Sequence, residues 1–140
     1  MWFYNNEIVK ELPEDCVGFV YLITNQLNGR KYIGKKLAKF SRTKQKTVTL
    51  KNGTKKKKKV KTKTDSDWMD YYGSSVELSA DVNSLGKENF RREILHFCKS
   101  KGTMSYIEAK LQFQYEVLEK PTEFYNGHIQ VRVHRSTLKF

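Results

Sequence analysis

The 140-residue chain has little cysteine, little proline and no long apolar segment. Its two cysteines, Cys16 and Cys98, do not have the spacing of metal ligands, so we expect both to be reduced and buried. No apolar run approaches the roughly 20 residues that a membrane-spanning helix needs. The first residues also lack the basic start and apolar core of a secretion signal. These absences predict a cytoplasmic protein that has no membrane partner.

Acidic residues are missing from one stretch of the chain. The formal net charge is +12, and residues 42–63 contain 11 of the 27 basic residues and no Asp or Glu. The rest of the chain has 16 basic residues (27 − 11) against 15 acidic ones. One segment therefore carries almost all of the excess positive charge, which is typical of a protein that binds a polyanion.

Two short runs of the sequence have the composition of β-strands. Residues 18–24 are mostly β-branched and aromatic, and residues 31–37 begin with a short apolar-centred stretch. Between them, Asn28 and Gly29 tolerate the positive φ that a tight turn demands. The sequence therefore predicts an antiparallel hairpin.

The predicted hairpin carries two short motifs. The second strand contains Tyr-Ile-Gly at 32–34 and the first contains Phe-Val-Tyr at 19–21, with ten residues between Tyr21 and Tyr32. In these motifs the chain resembles the GIY-YIG nuclease family, which is named for them. The first motif departs from the family pattern, because Phe19 stands where the family usually has Gly. We expect Gly18, one position earlier, to take over part of that glycine's role.

Three polar residues further along the chain fit the same family. Arg42 comes ten residues after Tyr32. Glu108 and Asn126 follow in the order in which the family has a glutamate on a later helix and then an asparagine. Two motifs and three ordered polar residues are more specific than any one of them alone. The resemblance covers the chain from about Gly18 to Asn126.

The resemblance implies one α+β (α/β) domain, in which helices flank a small three-stranded antiparallel sheet. Residues 89–98 fit both a helix face and a buried strand, and the resemblance assigns them to the third strand. Apolar spacing predicts a helix over 76–85 that ends at Gly86, and a second helix over 105–118.

The family resemblance also implies the chemistry, which is the metal-dependent hydrolysis of DNA phosphodiester bonds. Glu108 would hold one Mg²⁺ or Mn²⁺ ion per active site, because hard cations prefer oxygen ligands. Arg42 would bind the phosphate and oppose the charge of the transition state. Either Tyr21 or Tyr32 would act as the general base or orient the attacking water.

Two further residues complete the implied catalytic set. Lys35 matches a position where some family members have a lysine, and a nearby ammonium lowers the pKa of a phenol. Asn126 corresponds to the family asparagine that holds the geometry of the site, although it is equally well explained as a turn residue before glycine. Glu108 also fits a capping box with Ser105 at the start of a helix, and Glu116 is the alternative metal ligand.

The segments outside this core are an N-terminal arm (1–17), a lysine-rich insertion (42–64) and a C-terminal segment (127–140). We expect the arm to cover one face of the sheet and the C-terminal segment to be a half-buried strand or an extended tail. The insertion is either a second hairpin that turns at Asn52 and Gly53 or a disordered basic loop. We expect its lysines to contact the backbone of double-stranded DNA; they are Lys44, Lys46, Lys51, Lys55, Lys56, Lys57, Lys58, Lys59, Lys61 and Lys63.

Several readings remain open within this resemblance. The short lysine-rich chain resembles phage-encoded members, including homing-type enzymes, which would act in the cytoplasm of a bacterial host. Its specificity would come from the insertion, from the termini or from a homodimer. The main alternative is a non-catalytic DNA-binding protein that keeps the fold, and an RNA-binding protein has less support. His128 and His134 lack the further ligands that a zinc site requires.

Overall fold

The computed structural model describes residues 1–40, 45–60 and 63–140. The strands are β1 (Trp2–Tyr4), β2 (Glu7–Val9), β3 (Gly18–Asn25), β4 (Lys31–Leu37), β5 (Lys39–Thr49), β6 (Lys55–Asp65) and β7 (Phe90–Cys98). The α-helices are α1 (Val76–Leu85) and α2 (Lys101–Gln114), and short 3-10 helices span Trp68–Asp70, Lys87–Asn89 and Arg135–Thr137. No helix in the described ranges is long and apolar enough to cross a membrane.

The main sheet has five strands in the order β2-β1-β7-β3-β4. Strand β3 pairs antiparallel with β4 and with β7, so the predicted hairpin and the predicted third strand are both present. The prediction of a three-stranded sheet was wrong, because the N-terminal arm adds β1 and β2 beside β7. The arm also packs against one face of the sheet, as predicted, through Trp2, Val9 and Leu12. Strand β1 runs parallel to β7, whereas the prediction was of an antiparallel sheet throughout.

Trp2 explains why the arm joins the sheet. Its side chain is fully buried, and its Nε1 donates a hydrogen bond to the Trp68 carbonyl at 2.7 Å. The Arg92 guanidinium of β7 lies 4.7 Å from the Trp2 ring, in cation–π range. Burying one tryptophan is worth a few kcal/mol, which is enough to hold a strand of only three residues.

Strand β3 lies inside the sheet, and its side chains separate two apolar layers. Phe19 and Tyr21 point to the face that packs against α1 and the segment around Trp68. Val20 and Leu22 point to the opposite face, which packs against α2. The sheet is therefore covered on both faces, and the free edge of β4 is where groups from both layers come close together.

The two helices match the predictions to different degrees. Helix α1 spans the predicted residues and ends at Gly86, whose φ is 95°. Helix α2 begins four residues earlier than predicted, at Lys101, because the Ser100 hydroxyl accepts the Thr103 N–H at 3.0 Å and caps the helix. The predicted capping box at Ser105 and Glu108 is therefore wrong.

The lysine-rich insertion, predicted to be either a second hairpin or a disordered loop, forms a hairpin. Strands β5 and β6 pair antiparallel as a sheet of their own. In the turn between them, the Asn52 side chain accepts the Thr54 N–H at 3.0 Å, and Gly53 has a φ of 81°. Asn52 and Gly53 thus form the predicted turn.

The C-terminal segment, predicted to be either a half-buried strand or an extended tail, is an extended tail. After a single bridge between Phe124 and Lys31 it contains no strand, and it ends in the short 3-10 helix Arg135–Thr137. The Lys139 N–H donates to Thr103 Oγ1 at 2.7 Å, which ties the end of the chain to the start of α2. The segment is therefore held across α2, next to the edge of β4.

Candidate active site

A cleft of about 530 Å³ opens beside β4, the edge strand of the main sheet. Strand β4, helix α2, the start of α1 and the C-terminal segment all contribute to its walls. The polar side chains that line it include Tyr32, Lys35, Ser74, Glu108, Asn126 and His128. Four of these six belong to the catalytic set that the resemblance implied.

Glu108 lies in the middle of α2, so it is not a first-turn residue that serves the helix dipole. Only 13% of its side chain is exposed, and its Oε1 is 3.9 Å from Lys35 Nζ. Burial raises the pKa of the Glu108 carboxyl, while the nearby Lys35 and His128 oppose that rise. A largely buried carboxylate at the wall of an open cleft, with the Lys35 ammonium beside it, is a candidate ligand for a phosphate-bound cation.

Ser105 fixes the position of the cleft lysine. The Lys35 ammonium donates a hydrogen bond to Ser105 Oγ at 2.8 Å, one helical turn before Glu108. Ser105 and Glu108 lie three residues apart and so face the same way on α2. The spacing of Ser105 and Glu108, which suggested a capping box, therefore places both side chains in contact with Lys35.

The two motif tyrosines occupy different environments. Tyr32 lines the cleft, and its hydroxyl is 3.0 Å from Ser74 Oγ. Tyr21 is fully buried, and its hydroxyl has no hydrogen-bond partner among the described residues. Burial raises the pKa of Tyr32. The pKa of Tyr21 is raised further, because Tyr21 is more deeply buried and the neighbouring Tyr71 phenol adds to the effect.

Gly34, the glycine of the Tyr-Ile-Gly motif, allows the Tyr21 ring to lie against the backbone of β4. A Cβ atom at Gly34 would be 2.4 Å from Tyr21 Oη and 2.6 Å from its Cζ. Gly18 has the same kind of role on β3, where a Cβ would be 2.4 Å from the Met104 sulfur of α2. Gly34 is therefore a site of close approach between neighbouring strands, and Gly18 is one between the sheet and α2.

We expect Gly34→Ala to lower the free energy of unfolding by roughly 1–3 kcal/mol, the usual cost of overpacking a core. The Tyr21 ring is rigid and enclosed, so it cannot move away from the new methyl group without disturbing its neighbours. Gly127→Ala is the matched control, because a Cβ there meets no atom within 4 Å. Thermal denaturation of both variants checks this prediction, and equal melting temperatures would contradict it.

Asn126 closes the free edge of β4. Its Oδ1 accepts the Ile33 N–H at 3.1 Å, and its Nδ2 donates to the Ile33 carbonyl at 2.8 Å. This pair of bonds imitates a neighbouring strand, and Gln112 of α2 adds a further bond to the same carbonyl at 3.0 Å. The Asn126 side chain therefore holds the Tyr-Ile-Gly strand against the segment that brings His128 into the cleft.

Some predicted site residues do not line the cleft, and others lie outside the described residues. Arg42, Lys44 and Lys61 are outside the described residues. Glu116, the alternative metal ligand, is exposed beyond the end of α2 and does not line the cleft. His134 caps the last 3-10 helix through Ser136.

Sequence reasoning missed four residues of the site, namely Ser74, Ser105, Gln112 and His128. Serine and glutamine give little signal in a single sequence, because both are common on surfaces. His128 was considered only as a zinc ligand. Its position two residues after Asn126 was the available signal, since in an extended segment such residues point to the same side.

The chemistry of the cleft fits a hard divalent cation. The described residues bring no three His, Cys, Asp or Glu side chains together, so they form no all-protein metal cage. Mg²⁺ usually keeps several waters and is held by one or two carboxylates together with substrate phosphate oxygens. Glu108 and an open cleft of this volume are compatible with that mode of binding.

Comparison with known proteins gives a match to a family model. Residues 2–129 match the family model described as "Putative endonuclease segE, GIY-YIG domain". No curated protein and no solved structure matches the chain. The family match includes both tyrosine motifs and every residue of the cleft discussed above. Because it covers nearly the whole sequence, the chain belongs to the GIY-YIG nuclease family.

Proposed function

We propose that this protein is a metal-dependent endonuclease that hydrolyses phosphodiester bonds of double-stranded DNA. One observation carries the proposal most directly. The half-buried Glu108 carboxylate, the Lys35 ammonium and the Tyr32 hydroxyl all border one open cleft. A carboxylate can hold a metal ion, a cation can stabilise the charge of the phosphate, and a phenol can orient or deprotonate water, so this set can support phosphate hydrolysis.

Glu108 would hold a single Mg²⁺ or Mn²⁺ ion together with the scissile phosphate. When bound, such an ion stabilises the negative charge of the transition state and of the leaving oxygen. The other requirements belong to the protein. Lys35 keeps the Glu108 side chain in place and adds positive charge where phosphate oxygens would lie.

Tyr32 would orient the attacking water. Because burial raises the pKa of Tyr32, the neutral phenol is the favoured form in the free protein. A neutral phenol can both accept a hydrogen bond from water and donate one, and the Ser74 hydroxyl shares that network at 3.0 Å. Arg42 would contact a phosphate oxygen, as the family resemblance implies.

The degenerate first motif is the main argument for a non-catalytic relative. Phe19 lies in the core, with its ring 5.1 Å from that of Trp2 and 6.2 Å from that of Trp68. It does not line the cleft. The departure from the family pattern therefore changes core packing and removes no polar group from the site, which favours the enzyme over the DNA-binding relative.

Metal removal tests the proposal. We expect supercoiled plasmid to be nicked or linearised with Mg²⁺ or Mn²⁺ and to stay intact with excess chelator, because the bound ion would stabilise the negative charge of the transition state. Agarose gels follow the products. Tight binding in a gel-shift assay without cleavage on varied substrates, in either metal, would instead support the non-catalytic relative.

A further inference from the structure

The hairpin of β5 and β6 extends away from the main sheet. The two strands pair only with each other and form a separate sheet. Between residues 45 and 60 every side chain is exposed except those of Val48 and Val60, which are half-buried. An isolated two-stranded hairpin is marginally stable in water. A partner that binds along its length would therefore stabilise it.

The register of the hairpin gives its two faces different compositions, although each face carries three lysines within residues 45–49 and 55–59. Thr49, Thr47 and Gln45 are directly opposite Lys55, Lys57 and Lys59, and opposed residues share a face. We name this the lysine-row face. It presents three exposed lysines on one strand and three exposed uncharged polar residues on the other, and it has no apolar side chain in residues 45–49 and 55–59.

The opposite face has a different composition. Val48 is opposite Lys56, Lys46 is opposite Lys58, and Val60 is two residues beyond Lys58 on the same side. We name this the valine face. The directly opposed pair Lys46 and Lys58 is a like-charge pair, which destabilises a hairpin.

The base of the hairpin also distinguishes the two faces. Phe40 alternates in phase with Lys46 and Val48, so it belongs to the valine face. Its ring is 5.2 Å from the Lys36 ammonium of β4. Lys36 in turn pairs with Asp67 at 2.6 Å. At its base, the valine face is therefore the one turned toward the body of the protein.

We propose that the lysine-row face is the surface that grips duplex DNA, and that the valine face does not contact it. This inference rests on the proposed function for its ligand. Lysines two residues apart on a strand are roughly 6.6 Å apart, so they can reach successive phosphates along a groove. The threonine and glutamine side chains beside them can donate to phosphate and sugar oxygens without reading sequence.

Two triple variants with equal charge separate the faces. Lys55→Gln, Lys57→Gln and Lys59→Gln together remove three charges from the lysine-row face. Lys46→Gln, Lys56→Gln and Lys58→Gln remove three from the valine face and are the matched control. Fluorescence anisotropy in chelator measures the affinity of the full-length protein for a duplex of about 30 base pairs, longer than the hairpin.

We expect the lysine-row variant to lower the slope of log K against log salt by up to about 2.7, which is roughly 0.9 for each lost phosphate contact. The valine-face variant should lower the slope by less than about one. Replacing the three row lysines with arginine should retain the slope of the wild type. If the slope falls equally in the two glutamine variants, or falls more in the valine-face variant, the inference is overturned.

Plasmid cleavage in Mg²⁺ keeps this inference separate from the proposed function. If the wild type binds DNA through the lysine-row face but cleaves none, the result supports the proposed DNA-binding face and contradicts the proposed nuclease activity. If the wild type cleaves DNA and the two glutamine variants bind DNA equally, the result supports the nuclease activity and contradicts the proposed DNA-binding face. Circular dichroism of both variants checks that the domain is folded.

Discussion

Glu108→Gln is expected to lower the rate of DNA cleavage by at least about 10³-fold, which corresponds to roughly 4 kcal/mol of transition-state stabilisation. Glutamine keeps the shape of the side chain and removes the negative charge that would hold the cation. The affinity for DNA in chelator should stay within about threefold of wild type, because contacts to phosphates elsewhere supply most of it. Single-turnover cleavage and anisotropy measure the two quantities.

Glu116→Gln is the matched control for this prediction. It makes the same chemical change on a side chain that is exposed beyond the end of α2. Its cleavage rate should remain within about threefold of wild type, as expected for a surface change away from the site. If Glu108→Gln retained a tenth or more of the wild-type rate, or if Glu116→Gln were the inactive variant, the assignment of the metal ligand to Glu108 would fail.

The second large effect is expected at Tyr32 and not at Tyr21. Removal of a hydroxyl that orients or deprotonates the attacking water costs about 10²–10⁴-fold in rate, so Tyr32→Phe should lower cleavage within that range. Tyr21→Phe should lower it by less than about tenfold, because the Tyr21 side chain is fully buried and does not line the cleft.

Stability provides an independent check on the same pair of variants. Among the described residues the Tyr21 hydroxyl has no hydrogen-bond partner, so Tyr21→Phe removes an unsatisfied group and should stabilise the fold by up to about 1 kcal/mol. Urea unfolding measures the difference. A Tyr21→Phe variant that is inactive yet stably folded would place the catalytic hydroxyl at Tyr21 and contradict the assignment to Tyr32.

Local signals were sufficient to predict the elements that carry the motifs. The Asn-Gly turn and its β-branched flanks predicted β3 and β4, and apolar spacing with Gly86 predicted α1. These elements are specified by turn chemistry and periodicity within a few residues of themselves. The resemblance to the GIY-YIG family then implied that Tyr32, Glu108 and Asn126 would come together at one site.

The parts that were missed depend on long-range contacts. Strand β1 is only three residues long, and what holds it is the burial of Trp2 against residues distant in the sequence, namely Phe19, Trp68 and Arg92. The start of α2 depends on the Ser100 cap, which competes with the equally plausible pair of Ser105 and Glu108. The burial of Tyr21 follows from its packing against Gly34 of the neighbouring strand, and a sequence motif does not specify such depth.

A metal jump on a preformed complex tests most directly whether the cleft is a nuclease active site. The protein is bound to labelled duplex DNA in chelator, so that binding is established before any reaction, and excess Mg²⁺ is then added. We predict that cleaved strands accumulate in the wild-type complex and not in the Glu108→Gln complex at the same occupancy. Fully bound DNA that remains intact in the wild-type complex, with Mn²⁺ as well as Mg²⁺, would contradict the proposal that this protein is a nuclease.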